Sequence, residues 1–167
     1  LKSDRKTLIE KIKSVYTSID MKIPKLDSGE EIIDIDPFTV FGLFNKGITN
    51  SNRLSIITGI ANEFGIEAKI PDNFDGIPVL NNLKATFDKR KENDIEHLWE
   101  LFSSALKLSD ADTEENRAAF SKWYDIVHEQ LCIRWNLTMG LYWIRPYYFI
   151  NLDSRNRWYI TNIENMT

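Results

Sequence analysis

Apolar residues recur three and four positions apart along most of this chain, the spacing that lines one face of an α-helix. Leu8, Ile9, Ile12, Val15, Tyr16 and Ile19 form the first such stripe, with Ser3 as the expected N-cap. Pro24 and KLDSGEE interrupt it with a loop. Asp36 followed by Pro37 is a helix start: a capping carboxylate, then proline where its missing N–H costs nothing. That helix should present Phe38, Phe41 and Phe44 and stop at Gly47. A third helix is expected from about Asn52 to Phe64, capped by Asn50 or Ser51. Its buried face is read as Leu54, Ile57, Ile60, Ala61 and Phe64, with Gly65 as the residue after its end.

The pattern then dissolves. GIEAKIPDNFDGIPVLNNLKATF mixes proline, glycine and Asp/Asn and reads as turns, with at most a short strand near 66–70. The KRKEND run at 89–94 reads as a solvated connection. Helical spacing returns in Ile95, Leu98, Trp99, Phe102, Ala105 and Leu106. A further stripe is Ala119, Phe120, Trp123, Val127 and Leu131, capped by Asp112 or Thr113. A short helix from Thr138 to Ile144 must halt before Pro146, and Asp153 can cap another through Tyr159. The expectation is a mainly α, compact multi-helix protein of roughly seven helices. An N-terminal helix and loop at 1–33 and a main helical domain at 34–167 are read together as one structural unit.

Composition adds limits. No apolar run approaches the ~18 residues of a membrane span, and the polar N-terminal LKSDRKTLIEKIKS is no signal peptide. One cysteine, Cys132, forms no internal disulfide and suits a cytoplasmic protein. The chain opens on Leu1, as a fragment would. Its net charge of −4 argues against a uniformly basic nucleic-acid binder, yet residues 134–167 carry four arginines against Asp153 and Glu164.

Most catalytic chemistries find no support. There is no phosphate-binding G-x-x-x-x-G-K-[ST] and no glycine-rich dinucleotide motif. His128 and Cys132 lie four apart, but with His97 they fall short of four zinc ligands, and neither histidine marks Cys132 as a thiolate. Their simpler reading is a surface histidine and a buried thiol. A metal-dependent nuclease would use Glu67 and Lys69 on the 66–70 strand with Asp34 or Asp36, but Asp36 is needed as a cap. No catalysis, metal or cofactor is expected.

One stretch stands apart. RWNLTMGLYWIRPYYFINLDSRNRWYI, residues 134–160, holds eight aromatic residues, four arginines and no lysine. Leu141, Ile144, Phe149, Ile150, Leu152 and Ile160 suffice to seat it on a helical core. Trp135, Tyr142, Trp143, Tyr147, Tyr148 and Trp158 cannot all follow them inward, and Arg134, Arg145, Arg155 and Arg157 interleave with them. Exposed rings stack on bases and guanidinium groups grip phosphate bidentately. The same residue types anchor protein interfaces, so the residues leave both readings open. The NKGITNSNR turn at 45–53, with Lys46, Asn52 and Arg53 at a helix start, is a second candidate anion-binding surface.

Three pieces, IDPFTVFGLFNKGITNSNR, FDGIPVLNNLKATF and NLTMGLYWIRPYYFINLDSRNRWYI, resemble the amino-terminal region of bacterial McrB-like proteins. These are the nucleotide-hydrolysing subunits of restriction systems that attack modified DNA. The resemblance spans about residues 34–160. It implies a DNA-recognition module, for DNA that in this family often carries a methylated cytosine, whose AAA+ motor domain lies outside this chain and partners a nuclease subunit. A fainter similarity to helical DNA glycosylases rests on IRPYYFINLD and would make Asp153 the residue to watch. The expected DNA-contacting set is Lys46, Asn52, Arg53, Trp135, Trp143, Arg145, Tyr147, Tyr148, Arg155, Arg157 and Trp158. The rival is a module that docks other restriction subunits or a phage protein.

Overall fold

A computed structural model describes residues 2–25, 29–80 and 90–162. Among them the protein is mainly α, with seven helices and no strand. Contacts divide the chain into two compact units, Leu1–Lys89 and Arg90–Thr167.

The first unit is built on α1 (Arg5–Ser18), α2 (Pro37–Gly42) and α3 (Asn50–Phe64). Asp4, one residue beyond the expected serine, caps α1 by accepting from the Thr7 N–H at 3.1 Å. The anticipated stripe of Leu8, Ile9, Ile12, Val15 and Tyr16 is buried. Asp36 caps α2 as its position before Pro37 implies, accepting from the Thr39 N–H at 2.9 Å and its hydroxyl at 2.6 Å. That helix ends at Gly42, short of the expected Gly47.

In α3 the buried face differs from the expected one: Arg53, Ile56, Gly59 and Ala61 turn inward instead of Leu54, Ile57 and Ile60. Isoleucines at 56, 57 and 60 put apolar bulk on two sides of the helix, so spacing alone does not choose between them. Close approach does. α1 packs against α3, and a Cβ on Gly59 would lie 2.8 Å from Val15 Cγ1. The cap is Thr49, accepting from the Asn52 N–H at 3.2 Å, and left-handed Gly65 (φ 64°) ends the helix. Residues 66–70 form no strand. The extended pairing seen in this unit is a single parallel bridge between Lys46 and Leu80, with Leu80 N–H donating to Asn45 O and Gly47 N–H to Leu80 O.

The second unit comprises α4 (Asp94–Asp110), α5 (Glu114–His128), α6 (Asn136–Ile144) and α7 (Ser154–Thr161). α4 is its spine, burying Leu98, Trp99, Leu101, Ala105 and Leu108 against α5 and α6. Leu98 and Leu101 are fully enclosed, each contributing about 2 kcal/mol by removal from water. Thr113 caps α5, which buries only Val127 completely, while Leu131 lies beyond the helix and is exposed. The α5–α6 connector turns through two left-handed non-glycine residues, Cys132 (φ 66°) and Arg134 (φ 36°), which bring Ile133 inward. α6 buries Leu137, Thr138, Gly140, Leu141 and Ile144; α7 buries no residue.

Candidate nucleic-acid interface

The ring-rich stretch is held in place by its short polar residues. Thr138 donates its hydroxyl to the Trp135 carbonyl at 2.7 Å and accepts the Leu152 N–H at 3.0 Å, tying the start of α6 to the segment entering α7. Asn151, itself buried, accepts the Asp153 N–H through Oδ1 and the Asn156 amide through its carbonyl. Both oxygens of Asp153 are occupied: Oδ1 accepts the Asn156 N–H at 2.9 Å and Oδ2 the Asn151 amide at 3.3 Å. The Asn156 backbone bond, opposed by partial desolvation and aided by Asn151 and Arg155, holds its carboxyl below the usual range. The aspartate singled out by the glycosylase similarity is therefore engaged as the α7 cap.

On that frame the predicted residues separate into two groups. In the first, the Arg157 guanidinium lies 4.9 Å from the centre of the Trp135 ring, and its Nε donates to the Asp153 carbonyl at 3.4 Å. Trp135 remains 45% exposed and Trp158, the next residue of α7, 61% exposed. Arg155 is exposed in the first turn of the same helix. This group is a ring with a cation over one face, a second open ring and a second cation. A guanidinium over an indole is itself worth about 0.5–1 kcal/mol at an exposed site.

The second group sits on the turn after α6. Tyr147 is fully exposed. Tyr148 is fixed: its ring meets Phe149 edge-on at 4.9 Å, and Phe149 stacks on Phe120 of α5 at 5.3 Å. Desolvation first, and then the Asp112 charge and hydrogen bond, raise the Tyr148 hydroxyl above its ordinary pKa. Asp112 also takes Arg117 bidentately, through Nε and Nη2. Arg145 is committed to structure, its donors going to Ser109 Oγ, Asp110 and the Ile144 carbonyl. It clamps the end of α6 to the end of α4, and its own carbonyl accepts the Tyr148 and Phe149 N–H groups. Trp143 is half-buried in α6. Ile150 and Ile160, expected in the core, are exposed instead.

Lys46, Asn52 and Arg53 belong to the other unit. Arg53 is a correction: at 4% exposure it is no open contact for a strand. Its Nε donates to the Phe44 carbonyl at 2.7 Å, one Nη to Asn45 Oδ1 at 2.8 Å, and the guanidinium lies 3.7 Å from the Phe74 ring centre. Lys46 is half-buried, and desolvation pulls its ammonium below the ordinary lysine pKa. Asn52 is exposed, its N–H used by the cap.

Other candidates are dispersed. Cys132 is exposed rather than buried, and lies past the end of α5 in a left-handed turn, so it shares no helix face with His128. Glu67 and Lys69 are exposed on irregular backbone. No group of three or more metal-ligating side chains converges among the described residues. A hollow of about 330 Å³ in the first unit is walled by Tyr16, Met21, Ile23, Pro24 and Ile32. The Tyr16 hydroxyl is sealed from solvent and has no hydrogen-bond partner among the described residues. No described helix is long and apolar enough to cross a membrane.

Comparison with known proteins places the chain by sequence. A family model described as a domain of unknown function matches residues 1–166. The chain belongs to that family, DUF8425. The DUF8425 match runs through both units and so takes in the ring-bearing segment as well as the Arg53 loop. No curated protein and no solved structure matches the chain.

Proposed function

We propose that this chain recognises DNA through the second unit, with Trp135, Arg155, Arg157 and Trp158 as the principal contacts and Tyr147 and Tyr148 as a second set. The observation that carries this reading is the Trp135–Arg157 pair beside an open Trp158. Rings left in water beside guanidinium groups with unused donors offer stacking to bases and bidentate bonds to phosphates. Trp143 and Arg145 support the surface from behind, one half-buried and the other holding the turn. In this reading the chain is the recognition module of a McrB-like restriction NTPase, as its wording suggests, and a motor domain elsewhere engages the nuclease subunit. Modified cytosine is the proposed target because the resembled family attacks modified DNA.

The test is fluorescence anisotropy of a labelled duplex, with and without modified cytosine, at two salt concentrations. Salt-dependent binding with preference for the modified duplex is expected. Absence of binding at low salt would overturn the proposal. It would favour the second reading, a protein-docking surface, for which exposed Ile150 and Ile160 beside the rings speak. That reading expects binding to a protein partner that is insensitive to salt and lost on changing Trp143 or Tyr147.

A further inference from the structure

Buried cations are normally matched by a carboxylate, because an unpaired charge out of water is costly. Arg53 breaks that rule. It is 4% exposed, and its partners are a carbonyl, an amide oxygen and a phenyl ring, all uncharged. Desolvation shifts it, and among the described residues no acid acts on it. The sequence around it explains why: from Pro37 to Asn62 there is no aspartate or glutamate, while Lys46 and Arg53 both fall within that span. Lys46, half-buried one residue from Asn45, likewise shows only desolvation and no acidic partner.

The bonding of Arg53 is also incomplete. A guanidinium has five N–H donors, and here Nε and Nη2 serve Phe44 and Asn45 while Nη1 bonds to no described residue. Nη1 is not among the atoms sealed from solvent, so the little of Arg53 that meets water includes this free end. The backbone adds to the same deficit. α3 begins in this loop, and Thr49 satisfies the Asn52 N–H but not those of Asn50 and Ser51.

We propose that the Phe44–Arg53 loop binds the terminal phosphoryl group of a small ligand, with Arg53 Nη1 as its donor. The chemistry needed is a compact, acceptor-rich anion, because Arg53 is 4% exposed and offers one unused nitrogen. Inorganic phosphate and a phosphomonoester end of a nucleotide share the required chemistry. This site lies in the first unit and stands independently of the ring-bearing surface.

The experiment uses the whole chain and needs no destabilising substitution. The Arg53 Nε–H signal, protected by its bond to the Phe44 carbonyl, is followed by ¹H–¹⁵N NMR at constant ionic strength. Three titrants are compared with chloride: inorganic phosphate, a 5′-phosphorylated trinucleotide and its unphosphorylated counterpart. The expected result is a saturable displacement of that signal by phosphate. The same displacement by the 5′-phosphorylated trinucleotide would assign the site to phosphomonoester ends, and its absence there would assign it to the free anion. A signal that stays with chloride through tens of millimolar phosphate would overturn the proposal, as would an equal response to the unphosphorylated strand.

Discussion

Each unit of this protein sets an arginine over an aromatic ring, and the two pairs are used in opposite ways. In the first, Arg53 lies 3.7 Å from the centre of the Phe74 ring and both are buried. In the second, Arg157 lies 4.9 Å from the centre of the Trp135 ring, and the ring stays open to solvent. What differs is how the guanidinium is bonded. Arg53 holds the Phe44 carbonyl and Asn45 at 2.7 and 2.8 Å, stitching the α2–α3 loop to α3. Arg157 has one long bond to the Asp153 carbonyl, at 3.4 Å, and most of its donors remain to be used. The same residue pair is a structural rivet where Nε and Nη2 hold the buried loop, and an open pair where one long bond leaves the guanidinium beside an exposed ring.

Removing the rivet should have the largest effect. Arg53→Ala leaves the Phe44 carbonyl and Asn45 without their donor, and urea unfolding should show a loss of about 3 kcal/mol. Arg157→Ala should cost no more than about 1 kcal/mol in the same assay. Equal losses would erase the distinction between the two pairs.

Next is the tight crossing that sets the face of α3. Gly59→Ala gains about 1 kcal/mol of helix propensity but forces a Cβ to 2.8 Å from Val15 Cγ1. Val15 is β-branched and buried, and so has little freedom to yield. A net loss of about 1–2 kcal/mol is expected in thermal or urea unfolding; a gain would mean α1 and α3 can separate freely.

Smaller again is the cap beneath the ring surface. Asp153→Ala should cost α7 about 1 kcal/mol and raise its amide exchange, while Asp153→Asn, which can still accept from Asn156, should cost less. The pH dependence follows from the lowered carboxyl. A folded-state pKa below the unfolded value of about 3.9 means the contribution is complete above that value. It disappears as the pH falls through the folded value. α7 amides whose protection relative to intrinsic exchange is the same at pH 6 and pH 2 would contradict this.

How much of this was legible beforehand depended on whether a signal was local. Asp36 before Pro37, Gly65 after Phe64 and Asp153 before α7 are caps written into adjacent residues, and each forms as the spacing implies. The inward turn of Arg53 was not legible, because its partners Phe44, Asn45 and Phe74 come together only in the folded loop. The face of α3 was hidden for the same reason, being decided by the glycine that admits Val15. Cys132 looked helical by its spacing from His128, and only the left-handed connector shows otherwise. At the candidate site the openness of α7 could have been read further. SRNRWYIT places Trp158, Tyr159 and Ile160 side by side, a run that circles a helix and cannot form one buried stripe. Tyr159 was missed for want of that argument, and it is exposed with its neighbours.

The most direct test of the central claim is the salt dependence of duplex binding for the whole chain and for the Arg155→Ala, Arg157→Ala double variant. The account predicts weaker binding and a log–log salt slope shallower by about 2, since each phosphate contact contributes about 0.9, with unfolding stability little changed. Unchanged affinity and slope in a folded variant would contradict it and remove α7 from the interface.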